Sequence, residues 1–234
     1  MFNNQLDSIP LGAGVVVMIP KPDKPPRIEN MQPITLLNTI QKILSLIVLC
    51  WIEFDIKSFL SQSQCGFLRQ CKTTNAVFAH KLIVSKAMKF HWSVYILGID
   101  LSKAFDTVDW TKLLDILRDF ICPDCFHLIQ VLLSKTVNNI CLEDLLGLDF
   151  QSAIGVPQED ALSLVLFIMY LEAVLQDLSI ILKAEFGIDL PQCIIYVDNF
   201  DFYFTIAYLY WSDSIYCTQS VCKNRDYAWL EVKP

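Results

Sequence analysis

The 234-residue sequence lacks the features of a secreted or disordered chain. Its N-terminus, MFNNQLDSIP, has neither the positively charged start nor the long apolar stretch of a signal peptide. We therefore expect an intracellular protein whose nine Cys are reduced thiols. Charged residues make up only 18% of the chain and hydrophobic residues 54%, so the chain can form a core and is expected to fold.

Uninterrupted apolar runs of membrane-spanning length are also missing. The best run, from Ala161 to Leu182, contains Glu172 and Asp177, and each charge would cost about 2.5 to 3.5 kcal/mol near a helix centre in lipid. Charged residues interrupt the run 40–60 in the same way. Both runs are predicted to be buried amphipathic helices, with no membrane partner.

A complete set of zinc ligands is not visible either. The segment Cys122-Pro-Asp-Cys125-Phe-His127 offers three potential ligands, whereas a closed structural zinc site needs four. The sequence has no second CxxC or HxxxH pair to complete it. The pattern therefore favours ordinary thiols over a zinc site.

The sequence has no excess of positive charge. Its 18 Lys and Arg against 25 Asp and Glu give a net charge of -7, which would repel a phosphate backbone. An acidic protein can still bind nucleic acid if its basic residues line one groove. The charge therefore weighs against tight nucleic-acid binding without excluding it.

Apolar periodicity and turn residues predict helices alternating with strands, an α+β fold in which a small sheet is backed by helices. A Pro- and charge-rich loop, residues 21–29, follows the first strand. The predicted strands are Leu11–Ile19, Ser93–Ile99, Cys193–Val197 and Phe202–Tyr210, and the predicted helices are 36–60, Thr73–Phe90, Trp110–Phe120 with Asp109 as N-cap, and Ala161–Leu182.

Two carboxylates stand where such strands end. Asp100 ends one buried strand, and Asp198 lies at the turn of a predicted hairpin about a hundred residues later. Converging carboxylates can hold two divalent cations about 3.5 to 4 Å apart for phosphoryl transfer. The alternative is that each carboxylate only caps its own turn. Spacing alone favours the second interpretation.

Five blocks in the sequence resemble those of reverse transcriptases from non-LTR retrotransposons. The third block, Ile99–Asp109 (IDLSKAFDTVD), matches the pattern hDxxKAFDxVD of that family almost letter for letter. The others, in order with it, are Ile19–Lys24 (IPKPDK) with Gln32–Asn38 (QPITLLN), Gln64–Phe67 (QCGF) with Thr73 and Thr74, Gly155–Ser163 (GVPQEDALS), and Tyr196–Asn199 (YVDN).

The resemblance implies a right-hand polymerase fold with fingers and palm over residues 1–210. Residues 211–234 remain an unassigned tail, and the thumb is expected to be missing. Asp100 and Asp198 would be the catalytic, metal-binding carboxylates for two Mg²⁺, with Asn199 beside them. The implied partners are an RNA template, a DNA primer and a deoxynucleoside triphosphate.

The resemblance also assigns residues to the substrate. Phe105 would lie under the sugar and exclude a 2′-hydroxyl, and Lys21 would meet the triphosphate. Pro157 and Gln158 would border the nucleotide and the template. The alternative for Phe105 and Pro157 is a plain packing role in the core and at a helix start.

The sequence departs from the family pattern at positions that carry chemistry. Asn199 replaces the second adjacent Asp, Gln32 replaces an Arg that would contact phosphate, and Glu159 replaces a Gly. Leu68 and Cys71 occupy positions where basic residues are usual. These changes predict a reverse transcriptase with weak or no polymerase activity. Two alternatives are an active enzyme in which Asn199 suffices as a ligand, and a non-catalytic module that binds nucleic acid or protein.

Overall fold

A computed structural model describes residues 13–20, 22, 25, 27, 30–68, 71–101, 103–134, 137–142, 145–157, 160–205 and 228–232. The chain forms two compact units, one from residues 1–59 and 105–170 and the other from residues 60–104 and 171–234. The strands are β1 (Ala13–Pro20), β2 (Met31–Leu36), β3 (Val94–Asp100), β4 (Val137–Leu142), β5 (Leu145–Gln151), β6 (Gln192–Tyr196), β7 (Asn199–Thr205) and β8 (Ala228–Val232). The helices are α1 (Thr39–Phe59), α2 (Thr73–Phe90), α3 (Trp110–Phe120), α4 (Pro123–Ser134) and α5 (Ala161–Phe186), with a 3₁₀ turn at Ala104–Thr107.

The first unit combines a sheet of order β2-β1-β4-β5 with helices α1, α3 and α4. Strand β1 pairs antiparallel with β2 and parallel with β4, which in turn pairs antiparallel with β5. The three helices pack against one another. Their most deeply buried side chains, at most 1% exposed, include Val48, Ile52, Leu113, Leu117 and Ile129. Burial of such side chains is the main source of stability for this unit.

The second unit is built on the antiparallel sheet β6-β7-β3-β8. Helix α2 packs on this sheet through a buried cluster that includes Ala87, Val94, Ile96 and Tyr203. This is the small antiparallel sheet backed by a helix that the sequence predicts, and it carries the strand ends with Asp100 and Asp198.

Two helices begin and end where the sequence predicts. Helix α2 spans Thr73–Phe90, and α3 spans Trp110–Phe120 with Asp109 as its N-cap. The Asp109 carboxylate accepts hydrogen bonds from the backbone N–H groups of Thr111 and Lys112 at 2.8 and 3.3 Å. These bonds satisfy N–H groups that the first turn of a helix leaves without partners.

Other elements differ from the predictions. Strand β2 was not predicted, because a proline, Pro33, lies inside it. The proline is tolerated because β2 is an edge strand of its sheet. Helix α4 and the strands β4 and β5 were also not predicted. Strand β8 lies within the predicted tail and pairs with β3.

Helix α5 is long and apolar enough, by length and composition alone, to cross a membrane. About 44% of its most apolar window is buried inside the protein. The carboxylate of Glu172 is also buried, and it accepts a hydrogen bond from the Ser61 hydroxyl at 3.0 Å. A buried, hydrogen-bonded carboxylate in mid-helix favours the amphipathic interpretation of this run.

Candidate active site

The end of β3 and the start of β7 bring the predicted carboxylates together. In this antiparallel pair Asp100 lies directly opposite Asn199, and the backbone N–H of Leu101 donates to the carbonyl of Asp198 at 3.2 Å. Opposite residues in an antiparallel pair have Cα atoms only about 4.5 to 5.5 Å apart. Asp100, Asp198 and Asn199 therefore lie close together, where β3 ends and β7 begins.

The hairpin turn is tighter than the sequence predicts. Tyr196 pairs with Asn199, so only Val197 and Asp198 lie between β6 and β7. The prediction that residues 198–201 form the connection was therefore wrong. Val197 has a φ of 62° and Asp198 does not have a positive φ, a pattern typical of a type II′ turn. A β-branched residue is strained at such a φ, and backbone strain of this kind concentrates at functional sites.

A neighbouring segment supports the strained turn. The side-chain oxygen of buried Gln64 accepts hydrogen bonds from the backbone N–H groups of Gly66 at 2.7 Å and Val197 at 3.4 Å. The backbone around Gln64 pairs with Ile195 in β6 through bonds of 2.8 and 2.9 Å. Gly66 approaches so closely that a Cβ there would lie 2.7 Å from the Val197 nitrogen. The QCGF block thus positions the turn that carries Asp198.

The carboxylate of Asp198 sits in an unfavourable electrostatic environment. Burial raises its pKa above the usual value, and the nearby Asp100 carboxylate raises it further, while a hydrogen bond to its own backbone N–H opposes both effects. The side-chain amide of Asn199 donates to the Asp198 carboxylate at 3.2 Å. A cation placed between Asp100 and Asp198 would relieve their mutual repulsion.

The two carboxylates are suited to a hard divalent cation. Oxygen ligands are those that Mg²⁺ prefers, and Mg²⁺ is usually held by one or two carboxylates together with waters and substrate phosphates. Among the described residues, no group of three or more His, Cys, Asp and Glu could hold a metal by itself.

A polar network beside the site was not predicted from the sequence. The His80 ring nitrogen lies 2.8 Å from the Tyr203 hydroxyl and 3.5 Å from the Asp201 carboxylate. Burial, with Asp201 nearby, raises the pKa of Tyr203. A cleft of about 280 Å³ between α2 and the sheet is lined by His80, Asp201 and Asn199, among others. The sequence did offer one signal for part of this network. Asp201 and Tyr203 are two residues apart in β7, and alternate residues of a strand face the same side of the sheet.

The predicted substrate residues that are described lie in the first unit. Phe105 is half-buried and packs on Phe167 with ring centroids 4.5 Å apart. Pro157 is half-buried and lines a cavity of about 220 Å³, and Gln32 is exposed on β2. Lys21 and Gln158 lie outside the described residues, as does Glu159.

Two of the sequence blocks are joined by backbone hydrogen bonds in this unit. The N–H of Val156 donates to the carbonyl of Phe105 at 2.9 Å, and the N–H of Gly155 donates to that of Val108 at 2.8 Å. Gly155 has a φ of +82°, and a Cβ on it would lie 3.0 Å from the Asp106 carbonyl oxygen. The indole N–H of Trp110 also donates to the Gly155 carbonyl at 2.6 Å. Phe105 and the segment before Pro157 are therefore held together.

The chain is similar to a known protein family and to a retrotransposon protein. The family model "Reverse transcriptase (RNA-dependent DNA polymerase)" matches residues 19–208. The chain is 25% identical over 184 residues to a Pol polyprotein from the type-2 retrotransposable element R2DM of Drosophila melanogaster. The match covers 78% of the chain but only 17% of that polyprotein.

Solved telomerase structures share the fold. Truncated apo telomerase from Candida tropicalis has a TM-score of 0.65 at 13% identity, covering 96% of this chain and 51% of the telomerase chain. Telomerase from Candida albicans with a fragment of telomeric RNA has a TM-score of 0.60 at 11% identity, covering 99% and 44% of the two chains. This likeness confirms the predicted α+β fingers-palm fold.

Proposed function

Because the chain belongs to the reverse transcriptase family, as a domain of the non-LTR retrotransposon kind, we propose that it binds divalent metal ions at Asp100 and Asp198 but synthesises little or no DNA. The observation that carries this proposal is the register of β3 and β7, which sets Asp100 opposite Asn199 and beside Asp198. Its proposed partners are an RNA template, a DNA primer and a deoxynucleoside triphosphate, and its proposed cofactor is two Mg²⁺.

The carboxylates of Asp100 and Asp198 would hold the metal ions. When bound, such ions activate an attacking oxygen and stabilise a leaving oxygen in phosphoryl transfer. The chain itself positions both carboxylates close together, through the β3–β7 register and the turn held by Gln64. The raised pKa of Asp198 supports this proposal, because perturbed carboxyl groups concentrate at functional sites.

Asn199 is the reason to expect weak synthesis. It contributes no negative charge, and its side-chain amide donates to one oxygen of the Asp198 carboxylate. Loss of one positioned electrostatic group typically lowers a rate by about 10² to 10³. Gln32, which replaces a phosphate-binding Arg of the family pattern, adds a second loss.

Primer extension tests the proposal directly. The purified 234-residue chain would be incubated with Mg²⁺, an RNA template, an annealed DNA primer and all four deoxynucleoside triphosphates. We expect no extension above a no-protein control. We also expect none from Asn199→Asp, because Gln32 and Glu159 remain in the variant. Robust extension by the unmodified chain would refute the loss of activity, and rescue by Asn199→Asp would show that Asn199 alone causes it.

Metal binding tests the site independently of synthesis, with Mn²⁺ as the probe and electron paramagnetic resonance as the readout. One unit charge about 4 Å from a divalent cation in water is worth about 2 kcal/mol, or roughly 30-fold in affinity. Asp198→Asn should therefore weaken binding about 30-fold, and Asn199→Asp should strengthen it by a similar factor. The matched control is Asp119→Asn, on the exposed surface of α3, which should change nothing. Equal affinity for all four proteins would rule out the proposed site.

Nucleic-acid binding without synthesis is a second candidate function, and the charge of α2 favours it. This helix carries Lys81, Lys86 and Lys89 and no acidic residue, although the whole chain has a net charge of -7. All three lysines are exposed. A basic helix in an acidic protein is a suitable place for a phosphate backbone.

Salt dependence of binding distinguishes this candidate from simple loss of function. Binding of an RNA–DNA primer–template by the unmodified chain should weaken as salt rises, with a slope of about 0.7 to 0.9 per phosphate contact. Changing Lys81, Lys86 and Lys89 to Gln should reduce that slope. The matched control changes three lysines of the first unit to Gln, namely Lys42, Lys57 and Lys112. If the two triple variants lose affinity equally, α2 is not the binding surface.

A further inference from the structure

The start of α4 carries two cysteines that the polymerase chemistry does not use. Cys122 immediately precedes the helix, and its carbonyl accepts the bond from the Phe126 N–H at 2.9 Å. Its sulfur accepts a hydrogen bond from the Cys125 N–H at 3.3 Å. Pro123 occupies the first position of the helix, where a missing N–H costs nothing. Cys122 is thus a sulfur N-cap with a second thiol one turn away.

The two thiols touch each other and differ sharply in exposure. The side chains of Cys122 and Cys125 are hydrogen-bonded to one another. Cys122 is exposed to solvent, whereas Cys125 is only 3% exposed. Burial, followed by the hydrogen bond to Cys122, raises the pKa of the Cys125 thiol to about 12. The exposed sulfur is therefore the one that a reagent in solution meets first.

We propose that Cys122 and Cys125 form a redox-active dithiol that closes to a disulfide by exchange with a low-molecular-weight disulfide such as glutathione disulfide. Residues three apart in a helical turn have Cα atoms about 5 Å apart, within the 4.4 to 6.8 Å that disulfides span. The N–H groups at a helix start stabilise a thiolate, which is the attacking species in such exchange. This inference goes beyond the proposed polymerase function and does not depend on it.

The exchange takes place in two balanced steps. The Cys122 thiol loses its proton, and its sulfur attacks one sulfur of glutathione disulfide, whose S–S bond breaks and releases one glutathione that takes up a proton. Cys125 then loses its proton and attacks the sulfur of Cys122, which displaces the second glutathione, again protonated. Overall the two cysteine thiols lose two electrons and two protons, and the glutathione disulfide gains them.

The arrangement argues against a zinc site at the same place. His127 is the third potential ligand of the segment, yet among the described residues no group of three or more His, Cys, Asp and Glu could hold a metal. Two thiols in mutual contact without a third ligand are suited to oxidation rather than to closed metal coordination.

The test uses the whole 234-residue chain incubated with glutathione disulfide, quenched with an alkylating agent and examined by intact mass and peptide mapping. After the quench the unmodified chain should carry two fewer alkyl groups than the reduced control, with the new bond mapped to Cys122 and Cys125, and dithiothreitol should reverse it. Cys125→Ser should stop with one glutathione on Cys122. Cys122→Ser should remain reduced at Cys125. Cys50→Ser, which removes another exposed thiol, is the control that should still form the bond.

Three results would overturn the inference. The unmodified chain could keep a stable glutathione adduct on Cys122, as Cys125→Ser should, which would show that Cys125 cannot attack. The disulfide could map to another pair of cysteines. Zn²⁺ alone could protect both thiols from alkylation, which would assign the pair to a metal. Serine is nearly isosteric with cysteine, and an unchanged far-UV circular dichroism spectrum verifies the fold of each variant.

Discussion

The turn that carries Asp198 depends on the close approach of Gly66, so Gly66→Ala should destabilise it. An added Cβ would lie 2.7 Å from the Val197 backbone nitrogen and 2.7 Å from its Cγ2 atom. Real Cβ atoms essentially never come so close to backbone. Val197 is already strained at a φ of 62°, so the turn cannot easily rotate to make room. Either the QCGF segment or the turn must move.

The magnitude follows from overpacking at a buried contact. Inserting a methyl group into a closely packed site costs about 1 to 3 kcal/mol. The matched control is Gly98→Ala in the middle of β3, where the nearest contact of a new Cβ is an ordinary 3.5 Å to the Asp201 carboxylate. Because Gly in a strand is about 0.5 to 1 kcal/mol less favourable than Ala, this control should be neutral or stabilising. The two variants should therefore differ by about 1 to 4 kcal/mol.

Urea unfolding followed by circular dichroism measures the difference, and Mn²⁺ binding measures its effect on the site. Gly66→Ala should unfold at a lower urea concentration than Gly98→Ala and should bind Mn²⁺ more weakly, because Asp198 moves with the turn. Two variants of equal stability would refute the reasoning, since they would show that the segment yields without cost. Lower stability of Gly66→Ala with unchanged Mn²⁺ affinity would show that metal binding does not depend on this support of the turn.

Four further predictions concern single contacts and are checked by urea unfolding. Gln64→Leu should cost about 1 to 3 kcal/mol, because it leaves buried N–H groups without their acceptor. Trp110→Phe should cost about 1 kcal/mol through loss of the indole bond to the Gly155 carbonyl. Asp109→Ala should cost about 0.5 to 2 kcal/mol through loss of the α3 cap. Asp198→Asn should stabilise the chain at pH 7, because the raised pKa means that ionisation opposes folding; the gain should disappear below about pH 4, where the carboxyl is protonated in both states.

The features that the sequence predicted best are those that local chemistry decides. Helix α3 begins after a strong N-cap, Asp109, and has apolar residues on one face, so its bounds were predictable. The signal for α3 lies within a few residues of the helix. The meeting of Asp100 with Asp198 was predictable only from the resemblance to a known family, because the spacing of the residues did not establish it.

The features that escaped prediction depend on distant contacts. His80 and Tyr203 are 123 residues apart, and the alternation of residues in β7 does not identify His80 as the partner of Tyr203. Val197 was not expected in a turn, because a β-branched residue disfavours a positive φ. The hydrogen bond from Val197 to Gln64, across 133 residues, and the tight contact with Gly66 hold it there. Tertiary contacts override local preference at this turn.

The contacts that support the turn are present in this chain, whereas one of the charges of the family pattern is missing. Gln64 and Gly66 still hold the strained Val197, an arrangement that costs folding free energy and serves only to place Asp198. The position after Asp198 meanwhile carries the neutral Asn199, whose amide bonds to the carboxylate. A chain that keeps the scaffold and lacks the charge should respond to Asn199→Asp by binding Mn²⁺ more tightly without regaining synthesis. That pairing of results would show that the missing charge at position 199 weakens metal binding, and that other departures from the family pattern, such as Gln32 and Glu159, also limit synthesis.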